Sequence, residues 1–482
     1  MGHERRGRNL LRKKRYPQSQ KRRPSNHASI LPLSPDSLGL AEGVIPCHGI
    51  VEVKPVWSRR KFLSSVAAAA VAAPRARGFS SLSPADEAFL EDLSRRAFLY
   101  FWEQADPKTG LTLDRTRNSG ERTAGRSEEV ASLASTGFAL TALSIGYFRK
   151  WRAPGEITER VRATLRHLCY DQPHERGWYF HFVERHSGER AWKSELSTID
   201  TALLLAGALT AQQCFDDDAE IVRMAQEIYE RVDFTWMLDR ASNCLRMGWK
   251  PESGFLRAVW GEYRENLILN VLAIGSTLHP VPVSSWYAFT RDPVVFEDYR
   301  FVGAGPLFTH QFSHAWLDLR GRVDGAPFEL DYFANSVVAT MAHRDFCLSL
   351  RSMFPGYSEE LWGVTPSDSE IGYLGWGGFS RHDLDGTVVP CAAGGSLMFT
   401  PGISLAALCA MRDRFAPQVY GRYGFSDAFH PVSLWVNPDV VGIDLGIILL
   451  SAENLRTGSV WTWFSRQPNV RRTMSRIFER RA

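Results

Sequence analysis

The stretch Ala258–Ser276, AVWGEYRENLILNVLAIGS, carries two carboxylates three residues apart, Glu262 and Glu265, directly before an apolar run. Paired carboxyl groups are the reagents of glycoside hydrolysis. One stays protonated to donate to the leaving oxygen, and the other stays ionised to activate water. At helical spacing Glu262 and Glu265 share one face, where like charges repel by about a few tenths of a kcal/mol. Helix capping needs only one of them. Similar acids open other apolar runs: Glu195 and Asp200 flank LSTI before TALLLAGAL, and Asp444 precedes LGIILLSAEN. Each also has a structural reading. An acid in a first turn stabilises the helix dipole by roughly 0.3–1 kcal/mol, and Ser197 with Asp200 has the form of a capping box. The aromatic neighbours Trp260 and Tyr263 favour the chemical reading, because flat rings beside carboxylates suit pyranose faces.

The elements that must position these acids read as helices. In SPADEAFLEDLSRRAFLYFWEQA, Ser83 is a predicted N-cap, Pro84 the first helical residue, and Phe89, Leu93, Ala97 and Phe101 recur at helical spacing. Further helical runs follow along the chain, while convincing alternating strands are scarce. Some helices are apolar all round and others amphipathic, which implies two layers. The expectation is an all-α (α/α)6 toroid over residues 83–482, with its cleft formed by long Trp- and Gly-rich loops where the inner helices start. Fifteen Trp in 482 residues exceed what a core needs, so some rings are expected to line the cleft.

Other chemistries lack anchors. The seven Cys form no CxxC pair, which argues against a zinc site or a disulfide framework. HQFSH, His310 to His314, has zinc-helix spacing but Gln311 stands where a catalytic Glu belongs. No metal or other cofactor is expected. No GxSxG elbow and no phosphate-cradling Gly loop occur. The basic excess is local: Met1–Ser25 carries ten Lys/Arg against one acid, and the remainder is slightly acidic. Nucleic acid is therefore not an expected partner of the folded part.

Arg59-Arg60 followed by Lys61, Phe62 and Leu63 resembles a twin-arginine export signal over residues 58–78. The apolar stretch Val66–Ala73 is too short to span a bilayer, and Ala70-Val71-Ala72 suits cleavage. The expectation is a periplasmic or secreted protein that engages the twin-arginine machinery without a stable membrane anchor. Residues 1–57 read as disordered or untranslated, with translation starting at a codon such as that of Val51 or Val53.

The strings ELSTIDTALLLAG, WGEYRENLILNVLAIGS, LFTHQFSHAWLDLRG, DYFANSVVATMAHRDFC, LWGVTPSDS, YGFSDAFHP and GIDLGIILLSAENLRTGSVW occur in order. Together they resemble the bacterial glucoamylase-like domain family, which includes endo-β-1,2-glucanases and is related to domains of cyclic β-1,2-glucan synthases. The resemblance covers about Asp86 to Phe464. It implies the helical toroid and metal-free, inverting hydrolysis of a β-glucan. It further implies that Glu262 is a catalytic carboxylate with Glu265 beside it, and that Asp200 and Asp444 are further cleft acids. The expectation taken forward is Glu262 as acid, with Asp200 or Asp444 placing water. Glu195, Trp178, His181, Trp260, Tyr263, His310, Gln311, Asp368 and Asp427 are expected to contact the sugar. Leu445 after Asp444, and the loop SEIGYLGWGGFSRHDLDG, depart from the family pattern. An α-glucan hydrolase, a cyclic-glucan transglycosylase and a non-catalytic glycan-binding module are the competing expectations.

Overall fold

The computed structural model describes residues 82–121, 129–303, 305–376, 379 and 384–480. The expected export signal and residues 1–57 lie outside the described residues. Helices are α1 (Pro84–Gln104), α2 (Leu133–Phe148), α3 (Pro154–Tyr170), α4 (Thr198–Cys214), α5 (Ala219–Glu230), α6 (Leu267–Gly275), α7 (Phe308–Gln311), α8 (Tyr332–Ser349), α9 (Pro390–Gly394), α10 (Pro401–Phe415), α11 (Gly442–Arg456), α12 (Ser459–Arg466) and α13 (Pro468–Ile477). Strands among the described residues are at most four residues long and sit in the loops.

Local chemistry starts these helices as the sequence implies. Ser83 Oγ accepts from the Asp86 backbone N–H at 3.1 Å, with Pro84 in the first turn. Phe89, Leu93, Ala97 and Phe101 are all buried. In α3 and α5 the buried residues fall on one stripe, for example Ile157, Val161, Leu165 and Leu168. In α2, α4, α6 and α11 nearly every residue is buried, so these helices are enclosed by the others.

Two of the enclosed helices touch backbone to backbone. A Cβ at Gly207 of α4 would lie 2.0 Å from the Gly137 carbonyl oxygen of α2, and one at Gly137 would lie 2.3 Å from the Leu203 carbonyl oxygen. Only glycine permits that approach. The last helices return to the first: α11 packs on α1 and α2, and the strand Arg115–Arg117 pairs antiparallel with Asp439–Val441. The strand Phe478–Arg480 likewise pairs with Arg322–Asp324.

Candidate active site

The enclosed helices begin near one another, and their starts carry the acids. Asp200 and Asp444 each occupy the third position of their helices, α4 and α11. Ser197 caps α4 by accepting from the Asp200 backbone N–H at 3.3 Å, and its hydroxyl also donates to Asp200 Oδ2. The capping reading of Asp200 therefore holds, and it leaves Oδ1 free to face His181.

His181 is fixed by its backbone. Its N–H donates to the Glu195 carbonyl at 2.9 Å, and its carbonyl accepts from Leu133, the first residue of α2, at 3.1 Å. Its ring Nδ1 lies 3.1 Å from Glu195 Oε1 and its Nε2 lies 3.5 Å from Asp200 Oδ1. Burial opposes the charge on this ring, but Asp200 and Glu195 hold its pKa up at about 9. Burial pushes Glu195 up, yet the hydrogen bond and charge of His181 hold it below the usual carboxylate range. Asp200 stays above that range because burial outweighs His181 and Ser197.

A second acid group forms around Arg115. Its guanidinium reaches Asp114 Oδ2 at 3.2 Å and Asp368 Oδ2 at 3.0 Å. The Asn437 amide donates to Asp368 at 3.0 Å and to Asp427 at 2.8 Å, and the Asp368 N–H donates to Asp427 at 3.0 Å. Pairing of Arg115–Arg117 with Asp439–Val441 brings this cation to the start of α11 and hence to Asp444. Asp444 lies near enough to Asp427 and Cys391 for both to influence its titration. Burial, then the charge of Asp427, pushes Asp444 well up; burial and the charge of Asp368 push Asp427 up. Two buried carboxyls in contact share a proton rather than both ionise.

Glu265 lies just before α6. Burial raises its pKa to about 7, and the charge of Asp200 acts in the same direction. Its Oε2 is enclosed and has no hydrogen-bond partner. Glu262, by contrast, is 55% exposed at the side chain and pairs with Arg264 at 3.0 Å. The expectation that both acids share a helix face is corrected: α6 begins only at Leu267. Residues 261–263 are instead held by bonds from Thr290 N–H to the Gly261 carbonyl and from Tyr263 N–H to the Thr290 carbonyl, each 2.8 Å. The Arg264 N–H then bonds the Asn266 side chain, turning the chain into the helix.

Several expected sugar contacts are also corrected. Trp178 is sealed in the core, its indole donating to the Asp233 carbonyl. Trp260 is buried and donates to Thr198 Oγ1 at 2.9 Å, bracing the first turn of α4 beneath Asp200. Tyr263, His310 and Gln311 are buried as well. Gln311 bonds the Ala392 carbonyl and Ser396. His310 and His314 both face Ser336, and burial lowers each to about 3, so both rings are neutral. What converges is His181, Glu195, Asp200, Glu265, Asp368, Asp427 and Asp444. Asp114, Arg115, Asn437 and Tyr373 join them unforeseen. Tyr373 stands opposite Asp368 in a hairpin, is 39% exposed, and has its pKa raised to about 12 by burial and by Asp444 and Asp427. Among the described residues, Glu129, Glu184 and His186 have metal-ligand spacing, but His186 is engaged by Asp106 at 2.7 Å.

Residues 258–468 match the family model Glycoamylase, described as "Putative glucoamylase". A solved glucoamylase-like structure of the same description from Bacteroides caccae superimposes with a TM-score of 0.75 at 27% identity, covering 82% of this chain and 100% of that one. An endo-β-1,2-glucanase from Chitinophaga pinensis, solved with sophorotriose and glucose, gives a TM-score of 0.76 at 23% identity, covering 82% and 98%. The exo β-1,2-glucooligosaccharide sophorohydrolase (non-reducing end) of Parabacteroides distasonis is 25% identical over 432 residues, 81% of this chain. The chain spans 58% of that relative's length.

Proposed function

We propose that the protein is a glycoside hydrolase that cleaves β-1,2-glucan with inversion, using Glu265 as the general acid. The observation that carries this reading is the Glu265 carboxyl, whose Oε2 is enclosed without a hydrogen-bond partner and whose pKa of about 7 keeps a proton available at neutral pH. Burial keeps Glu265 protonated, and the charge of Asp200 adds to it. The Asp427–Asp444 pair supplies the base: its members are raised, so the ionised one is a stronger proton acceptor than an ordinary carboxylate. The substrate class rests on the β-1,2-glucan activities named for the relatives.

Support for the (α/α)6 arrangement comes from the alternation of outer and inner segments. The inner six are α2, α4, α6, the segment 308–315, α9 and α11. The outer six are α1, α3, α5, α8, α10 and the late helix α13, which packs on α6. Export by the twin-arginine pathway is part of the same proposal and rests on Arg59-Arg60.

The test is purified protein on a panel of α- and β-linked glucans, with proton NMR of the first product. The expected result is β-1,2-glucan hydrolysis with the α-anomer first. A β-anomer first would remove the water-activating base, and hydrolysis confined to α-glucans would remove the substrate class.

A further inference from the structure

A stack of aromatic rings leads outward from the acid cluster to solvent. The His181 ring, between Glu195 and Asp200, stacks on Phe182 at a centroid distance of 3.8 Å and 17°. Phe182 in turn contacts the Trp192 ring at 5.0 Å. Trp192 is 37% exposed.

The turn that presents it is strained and locked. Trp192 and Lys193 both have φ of +52°, a left-handed conformation that bulky residues seldom adopt. The Ala191 N–H donates to the Phe182 carbonyl at 2.9 Å, and Ser194 Oγ donates to the same carbonyl at 3.0 Å while accepting from the Phe182 N–H at 3.2 Å. The Arg190 guanidinium donates to the carbonyls of Lys193 and Ser194 and is held by Glu252. One side of the ring packs on Phe182 and the other faces water. Strain retained in a rigid turn next to reactive groups is the mark of a presented side chain.

We propose that Trp192, backed by Phe182, is an outer subsite: a platform on which a pyranose ring of the glucan stacks beyond the unit held by the carboxyls. This deepens the glucanase reading and rests on it. The ring is rigid and partly wetted, which suits the apolar face of a sugar whose hydroxyls remain in solvent. The platform then selects for chain length, because only a substrate long enough to run from the acids past His181 gains its contact.

The experiment compares kcat/KM over β-1,2-gluco-oligosaccharides of increasing length for wild type, Trp192→Ala, Trp192→Phe and Trp192→Gly. Trp192→Ala is expected to lose about tenfold on the longest chains and less on the shortest. Trp192→Phe is expected to retain most of the wild-type preference. Trp192→Gly relieves the left-handed strain, so it is expected to keep the thermal midpoint while losing the long-chain advantage. Equal loss at all lengths, no loss, or a midpoint that falls in Trp192→Gly would overturn the proposal, the last by making the ring structural. Retardation on native gels containing each glucan separates the two readings. A wild type that hydrolyses no glucan but is retarded, with retardation weakened in Trp192→Ala, would remove the catalytic reading and keep the platform. Absence of retardation and hydrolysis together would remove both.

Discussion

Replacing Glu265 by Gln should make the protein inactive and, above neutral pH, more stable. The carboxyl has an ordinary pKa of 4.5 and a folded pKa of about 7. Between those values the folded state holds a proton that the unfolded chain has released, so stability falls as pH rises through that window. At 1.36 kcal/mol per unit the penalty reaches about 3 kcal/mol by pH 8, an upper bound because part of the residue retains solvent contact. Gln fills nearly the same volume and cannot ionise, so it removes the penalty. Urea unfolding at pH 4.5, 6 and 8 is the assay. The advantage of Glu265→Gln over wild type should grow from near zero to about 2–3 kcal/mol, while kcat falls by a factor of about 10²–10⁴. A stability difference that does not change with pH would mean Glu265 is ionised when folded, and the acid assignment would have to go elsewhere.

Glu262→Gln should cost less than about 1 kcal/mol and leave turnover close to wild type, because the side chain is a surface partner of Arg264; a tenfold loss in kcat would return Glu262 to the machinery. Gly207→Ala should cost about 1–3 kcal/mol of stability or more, seen as a lower thermal midpoint, since the new methyl meets the α2 backbone; a midpoint unchanged by calorimetry would contradict the close approach. Replacing Arg59 and Arg60 together by Lys should stop export, as read by fractionation and blotting; precursor still exported would show that the pair is not an address.

The acids that open helices could be found from sequence because they sit at the edge of an apolar run. Asp200 and Asp444 are third residues of α4 and α11, and position alone marks them. The same signal placed Glu262 and Glu265 on a shared helix face, which the structure does not have. An apolar run fixes where a helix is buried, but the turn before Leu267 is set by bonds to Thr290, which lies beyond α6 in the chain. Burial of Trp260 and Tyr263 was hidden for a related reason: an aromatic that stacks on sugar and one that braces a helix have the same composition. Arg115 and Asn437 could not be linked to Asp427 from sequence, because strand pairing between residues 115–117 and 439–441 brings them together. Trp192 carried a local signal, an aromatic beside a charged turn after the Phe182 strand, though nothing in the sequence reports a positive φ.

The pairing of Arg115–Arg117 with Asp439–Val441 also has a consequence in time. The pairing joins an early segment to a late one. During synthesis, the chain up to residue 438 already contains Asp200, Glu265 and Asp427, but neither Asp444 nor the strand that aligns Arg115. Such closure rests on contacts between residues more than 300 positions apart, which form last because the loop they close is long. A polypeptide still emerging therefore carries its carboxyls without the enclosure that raises their pKa and holds their protons.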